Sequence, residues 1–311
     1  MKDLTLTDSL LEAQTPSIRY LTLTRLLGLA EAHPDVLAAR QAMQTTGPIP
    51  AILAKQSESG AWKSEKSYYT PKYTSSHWSM LLLAELQADP AEARVRRGAA
   101  HMLEVTHKEL EQRLDQHVYG WTCLWANILR YTLHAGLADD PRLELVVSAL
   151  LGDGMQHGWR CRYNDEHPCA WGAARAVWGL AALAPEHKTP QVQATIQSAV
   201  HFLLEEHNLV QADYPSSVGG HIHVVWSRLN FPLFYQADIL FVLRALADAG
   251  ELKHPGAEPA LEWLAQRRKA DGRWSGSGPF RQRTWRVIGE HNEIDRWVSL
   301  QAADLLMQSG Y

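Results

Sequence analysis

Three observations predict an all-α fold. Apolar helical patterns alternate with amphipathic ones along most of the chain. Two amphipathic patterns run into the same device, Gln56…Gly60-x-Trp62 and Gln266…Gly272-x-Trp274. No stretch alternates apolar and polar residues as a strand does, except 221–226, H-I-H-V-V-W. The device has a physical basis. A Gln on the last helical turn can hydrogen-bond the loop, Gly takes the positive φ that ends a helix, and Trp covers the junction. Shortened copies at 115–121 and 154–159 make this a repeat.

The Q…G-x-W elements resemble the QW motif of the squalene-hopene cyclase and protein prenyltransferase superfamily, and the short prenyltransferase/squalene-oxidase repeat proteins related to it. The resemblance covers most of residues 48–311 and is more specific for fold than for activity. It implies an α/α toroid, in which inner helices surround a central cavity and outer helices wrap them, as a single domain over residues 1–311. Three departures keep the activities of those families from carrying over. The cyclase acid motif D-x-D-D is absent. D-D-P-R-L-E at 139–144 begins an amphipathic helix and reads as its cap. Asp165 and Cys169 lack the spacing of the prenyltransferase Asp-x-Cys zinc pair.

In chain order, 17–29 and 34–43 read as short helices of an N-terminal segment, 1–47, that covers the seam or one end of the toroid. The polar stretch 63–74 reads as a loop held by Pro71. Helices with apolar surfaces, suited to the inner ring, are expected at 76–86, 121–135, 168–183 and 231–249, with 295–308 closing the series. Amphipathic helices, suited to the outer ring, are expected at 91–103, 141–151, 190–207 and 256–267. Between His207 and Asn230 the G-x-W is lost to a long segment, read as a lid, a cavity rim or a simple insertion. Trp62 and Trp274 are expected at outer-to-inner junctions and not in the cavity.

The totals limit the function classes. Hydrophobic residues at 46% with 21% charged suit a soluble globular protein. A net charge of −4 with scattered Lys and Arg argues against a nucleic-acid partner. No apolar run spans a membrane and the first residues do not read as a signal peptide. Three cysteines without a framework spacing suit a reduced, cytoplasmic setting. Twelve tryptophans suit repeat junctions and an aromatic-lined cavity.

Candidate site residues lie just before the inner helices, whose N-termini converge on one end of a toroid and favour anions there. Asp165, Glu166 and His167 are the densest titratable group, and Asp238 lies one turn into its expected helix. A desolvated carboxyl among them would serve as a general acid; the alternative is that Asp165 or Glu166 caps a helix starting at Pro168. Tyr73, His77, Trp125, Trp171, Phe234 and Tyr235 are the expected binding residues. Cys123, Cys161, Cys169 and His167 could form a zinc site, although no pair has C-x-x-C spacing and buried cysteines commonly act as small hydrophobes. His221 and His223 are a weaker pair.

The expected function is therefore an enzyme acting on a hydrophobic small molecule in an aromatic cavity. An isoprenoid cyclase or isomerase with a carboxyl acid fits, since aromatic faces shield a cationic intermediate. The alternatives are a non-catalytic binding protein for a lipid-like ligand and a metal-dependent enzyme using the Cys/His group.

Overall fold

The computed structural model describes residues 4–217 and 219–311, and among them it is all-helical, with three isolated β-bridges and no strand. The N-terminal segment holds α1 (Leu4–Leu11), α2 (Pro16–Leu21), which runs into a π-helical turn at Thr22–Leu26, and α3 (Pro34–Thr45). Then follow α4 (Pro48–Leu53), α5 (Ser76–Glu85), α6 (Ala93–Asp115), α7 (Thr122–His134) and α8 (Leu143–Met155). The chain continues with α9 (Ala170–Ala181), α10 (Pro190–Leu204), α11 (Ile239–Ala249), α12 (Glu258–Gln266) and α13 (His291–Ser309). Among the described residues no helix is long and apolar enough to cross a membrane.

The two kinds of helical pattern occupy two kinds of position. The apolar helices α5, α7, α9, α11 and α13 pack each on the next; α8 packs on α6 and α10, α6 on α5 and α7, α8 on α7 and α9, and α10 on α9. In α5 every residue from Ser76 to Ala84 is buried, which its lack of a polar face requires. The N-terminal segment then meets the far end of the chain. Glu293 of α13 accepts the backbone N–H groups of Thr15 (2.9 Å) and Gln14 (3.2 Å), Arg296 donates to the Ser9 carbonyl (2.8 Å), and Arg25 pairs with Asp304 at 3.3 Å.

The repeat device takes the same form at both full copies. Trp62 and Trp274 are buried, and each indole N–H donates over 2.8 Å to the carbonyl ten residues earlier, Ile52 and Leu264. Each Trp backbone N–H donates to a serine of the following apolar helix, Ser76 at 3.0 Å and Ser299 at 2.9 Å. Gly60 and Gly272 take φ of 96° and 79°, as the turn requires. Gly98 of α6 lets the Trp62 ring in: a Cβ there would stand 2.9 Å from it and 2.5 Å from the Met80 sulfur. Both tryptophans thus sit at junctions.

The two glutamines differ. Gln56 donates to the Gly60 carbonyl (3.2 Å) and also to the Arg94 carbonyl at the start of α6 (2.9 Å). Gln266 is exposed. The long 207–230 segment also departs from expectation. Residues 221–226 contain no strand; a 3-10 turn covers Val224–Ser227. Within it Trp226 is buried and its indole N–H donates to the Leu209 carbonyl at 2.8 Å, so a tryptophan still closes this junction from farther along the chain. The apolar pattern at 231–249 becomes helical only from Ile239, after a Phe231–Gln236 segment that carries the site below.

A charged side chain fills the space between α7, α9 and α11. Arg175 of α9 is fully buried, with Phe241 3.8 Å beneath its guanidinium. It donates to the Gln236 carbonyl from Nη2 (2.6 Å) and Nε (3.2 Å), and to Asn127 Oδ1 (3.4 Å). Burial brings its pKa down to about 9.

Candidate functional site

The N-terminal ends of α5 and α9 and the segments 69–73, 234–235 and 280 carry one aromatic group. Its base is Tyr73 stacked on Phe234, ring centres 4.5 Å apart and planes 13° from parallel, with Trp78 and Phe280 at 5.1 and 4.7 Å from Tyr73. All four rings are buried. Above them the half-buried rings of Tyr235, Trp171 and Tyr69 reach the surface. Tyr235 lies 6.3 Å from Tyr73 and 6.0 Å from Trp171; Tyr69 lies 4.7 Å from Trp78 and 5.9 Å from the His77 ring. The group forms a surface patch with an apolar base and amphipathic edges.

Local hydrogen bonds explain how a polar loop presents these rings. In 63–74, Ser64 Oγ accepts from Lys66 and Ser67, and Ser67 Oγ accepts from Thr70, so serines fold the loop on itself. The Tyr68 carbonyl accepts from Ser75 Oγ and the His77 backbone, and the Tyr69 carbonyl accepts from Trp78 Nε1 at 2.7 Å. The 280–286 segment fixes the other side: Tyr73 N–H donates to the Arg283 carbonyl, Thr284 Oγ1 to the Tyr73 carbonyl, and Trp285 Nε1 to Ser79 Oγ.

Two cations stand over the patch. Lys72 Nζ stands 4.9 Å from the centre of the Tyr69 ring and 4.8 Å from that of Tyr235, and the Arg283 guanidinium lies 5.1 Å from the Tyr73 ring. Burial pushes the Lys72 ammonium below its usual range; Arg283 acts in the same direction and Cys123 opposes it.

Of the residues chosen from sequence, the structure brings together Tyr73, Trp171, Phe234 and Tyr235, with His77 beneath Tyr69. His77 is fully buried and neutral, its pKa pushed down to about 3 by burial and then by Arg175, and its Nδ1 lies 3.3 Å from the Tyr131 hydroxyl. Trp125 is buried in the core and has no ring contact with this group among the described residues.

The acid candidates fall elsewhere. Asp165, Glu166 and His167 are exposed, because Asp165 and Glu166 take φ of 49° and 59° and turn the chain outward. Neither carboxylate caps a helix: α9 starts at Ala170, after Cys169. Asp238 is buried, but it is the N-cap of α11 and not a residue one turn inside it. Its carboxylate accepts from the N–H of Phe241 (2.7 Å) and Asn230 (2.8 Å) and from Asn230 Nδ2 (2.7 Å). Burial raises its pKa to about 6 against those bonds.

Among the described residues no group of three or more His, Cys, Asp or Glu side chains is placed to hold a metal ion, and His167 points to solvent. The cysteines do approach one another. A short antiparallel pairing, with Cys161 N–H on the His167 carbonyl and Cys169 N–H on the Trp159 carbonyl, sets Cys161 near Cys169. The Cys169 thiol, helped by the Tyr163 and Asn164 N–H groups, lowers the Cys161 pKa to about 7 despite burial. Burial pushes Cys123 up to about 12, and the same contact with Cys161 raises Cys169 well above the usual thiol range. His221 and His223 are exposed; His223 Nδ1 accepts from Val225 N–H.

Sequence reasoning missed Tyr69, Lys72, Phe280 and Arg283. The signal was present in S-Y-Y-T-P-K-Y-T, 67–74: three tyrosines in a polar loop need an apolar partner, and they find it in one another and in Phe234. A concavity of about 450 Å³ lies at the opposite, C-terminal ends of α5, α7, α9 and α11. Charged pairs and not aromatic rings dominate it: Arg244–Glu85 (2.8 Å), Arg130–Asp248 (2.8 Å) and Arg25–Asp304.

No protein-family model, curated protein or solved structure matches this chain.

Proposed function

We propose that the chain is an α/α toroid of the terpenoid cyclase and prenyltransferase type that binds a hydrophobic small molecule on the aromatic patch. Three features support the toroid. The apolar helices follow one another as neighbours, α13 packs back on α1 and α2, and residues from the α2 region, α5, α7, α9, α11 and α13 share one concavity. The observation that carries the function is the aromatic group itself: segments distant in sequence place Tyr69, Tyr73, Trp171 and Tyr235 side by side, with outer rings half-exposed. Such a water-facing surface suits an apolar ligand.

Binding is favoured over isoprenoid cyclisation because the carboxyls that would have supplied the acid are exposed or committed to capping. Equilibrium dialysis with radiolabelled farnesol tests the reading. Saturable binding that weakens at least tenfold in both Trp171→Ala and Tyr235→Ala is expected. Absence of saturable binding, or binding indifferent to both substitutions, would refute it.

A further inference from the structure

We propose that the ligand of this patch is an amphiphile with an anionic head group, its chain lying on the aromatic base and its head held by Lys72 and Arg283. The inference rests on the binding function proposed above and adds the chemistry of the head. Lys72 brings its ammonium between Tyr69 and Tyr235, where the two rings replace part of its hydration. Arg283 lies over Tyr73, whose ring neighbours that of Tyr235 at 6.3 Å, so two like charges stand over adjoining rings of one group. Among the described residues neither forms an ion pair with a carboxylate. Some cations near aromatic rings have acidic partners, as Arg113 over Trp121 pairs with Glu109 and Arg130 over Trp178 with Asp248, while Lys63 over Trp285 and Arg267 over Trp263 have none among the described residues. Lys72 and Arg283 differ from the latter in lying together on one group of touching rings.

Two neighbouring cations without an acid, one of them partly desolvated, make a site that an anion completes. A neutral chain gains only the aromatic contact. A cationic amphiphile meets Lys72 already occupying the tyrosine faces and is repelled.

Three probes of one chain length separate these cases by calorimetry below their micelle concentrations: laurate, dodecanol and dodecyltrimethylammonium. Laurate should bind about tenfold more tightly than dodecanol, the factor one charge-assisted hydrogen bond supplies, and dodecyltrimethylammonium most weakly. The laurate advantage should shrink as salt rises. Lys72→Met should remove most of that advantage, read as the laurate-to-dodecanol ratio within each variant, Lys72→Arg should keep it, and Arg283→Gln should reduce it. Unfolding midpoints of the variants check that the fold is intact. Dodecanol binding as tightly as laurate, a preference for the cationic probe, or full laurate affinity in Lys72→Met would overturn the anionic head while leaving the aromatic site standing. Failure of all three probes to bind would overturn both.

Discussion

Removing the Glu293 carboxylate should open the contact between the two ends of the chain. Glu293 is 1% exposed and accepts from Thr15 N–H, Gln14 N–H and Arg296 Nη1 (2.5 Å). A hydrogen bond to a charged group contributes roughly 1.5–3 kcal/mol, and breaking a buried ion pair costs about 3–5 kcal/mol. The contacts share one carboxylate and do not add, so Glu293→Ala should cost about 4 kcal/mol. Glu293→Gln keeps the shape and an acceptor oxygen and should cost about half that. The pH dependence has a definite sign. Burial pushes this carboxyl up, but the bonds from Thr15, Arg296 and Gln14 outweigh it, so the folded pKa lies below the ordinary 4.5. Its contribution is therefore fully present above that value and is lost as pH falls through the folded pKa. Urea unfolding of wild type and Glu293→Ala should show the full difference at neutral pH and a smaller one under acid conditions. Amide exchange at Gln14 and Thr15 should accelerate in the variant. A loss under about 1 kcal/mol with unchanged exchange at those amides would refute the closure argument.

Two further outcomes are expected. Gln56→Ala should lower stability by about 1–2 kcal/mol, since it removes a bridge between the α4 turn and α6, while Gln266→Ala should stay within about 0.5 kcal/mol; equal costs by chemical denaturation would contradict the asymmetry seen at the two copies. Iodoacetamide labelling followed by peptide mapping should show Cys161 reacting with a midpoint near its pKa of about 7 and well before Cys123, and Cys169→Ala should move that midpoint upward; a midpoint in the ordinary thiol range would remove the role given to Cys169.

Helix identity was legible wherever burial and periodicity agree. The apolar α5 and the Pro-initiated α10 start where the sequence places them, at Ser76 and Pro190. The device at Trp62 and Trp274 was legible because its indole N–H must find a fixed carbonyl, which constrains spacing. What sequence could not give is how each loop turns. Asp165 and Glu166 look like an acid at a cavity mouth until two left-handed residues carry them outward. Asp238 looks helical because residues 231–237 are mostly apolar, yet that segment is irregular and bent, and Asp238 caps the helix that follows it. Lys72 was hidden among the charges of a polar loop, since nothing local says that Tyr235, far along the chain, will meet it.

The packing beneath the aromatic group is why the proposed ligand is placed at this end. Arg175 fills the space between α7, α9 and the 234–238 segment, and its buried charge is tolerable only because the Gln236 carbonyl and Asn127 receive its N–H groups. Asn127 in turn donates to the Phe234 carbonyl at 3.0 Å, and Asp238 ties the following turn to Asn230. The backbone on either side of Tyr235 is thereby held from below, and the ring between those anchors is left facing outward beside Lys72 and Trp171. A surface prepared in this way loses little freedom when a ligand settles on it. The opposite end has no such asymmetry, because each of its arginines already faces an acid of its own. The buried arginine therefore holds the aromatic end from below, which is why the proposed ligand is placed against Tyr235 and Lys72.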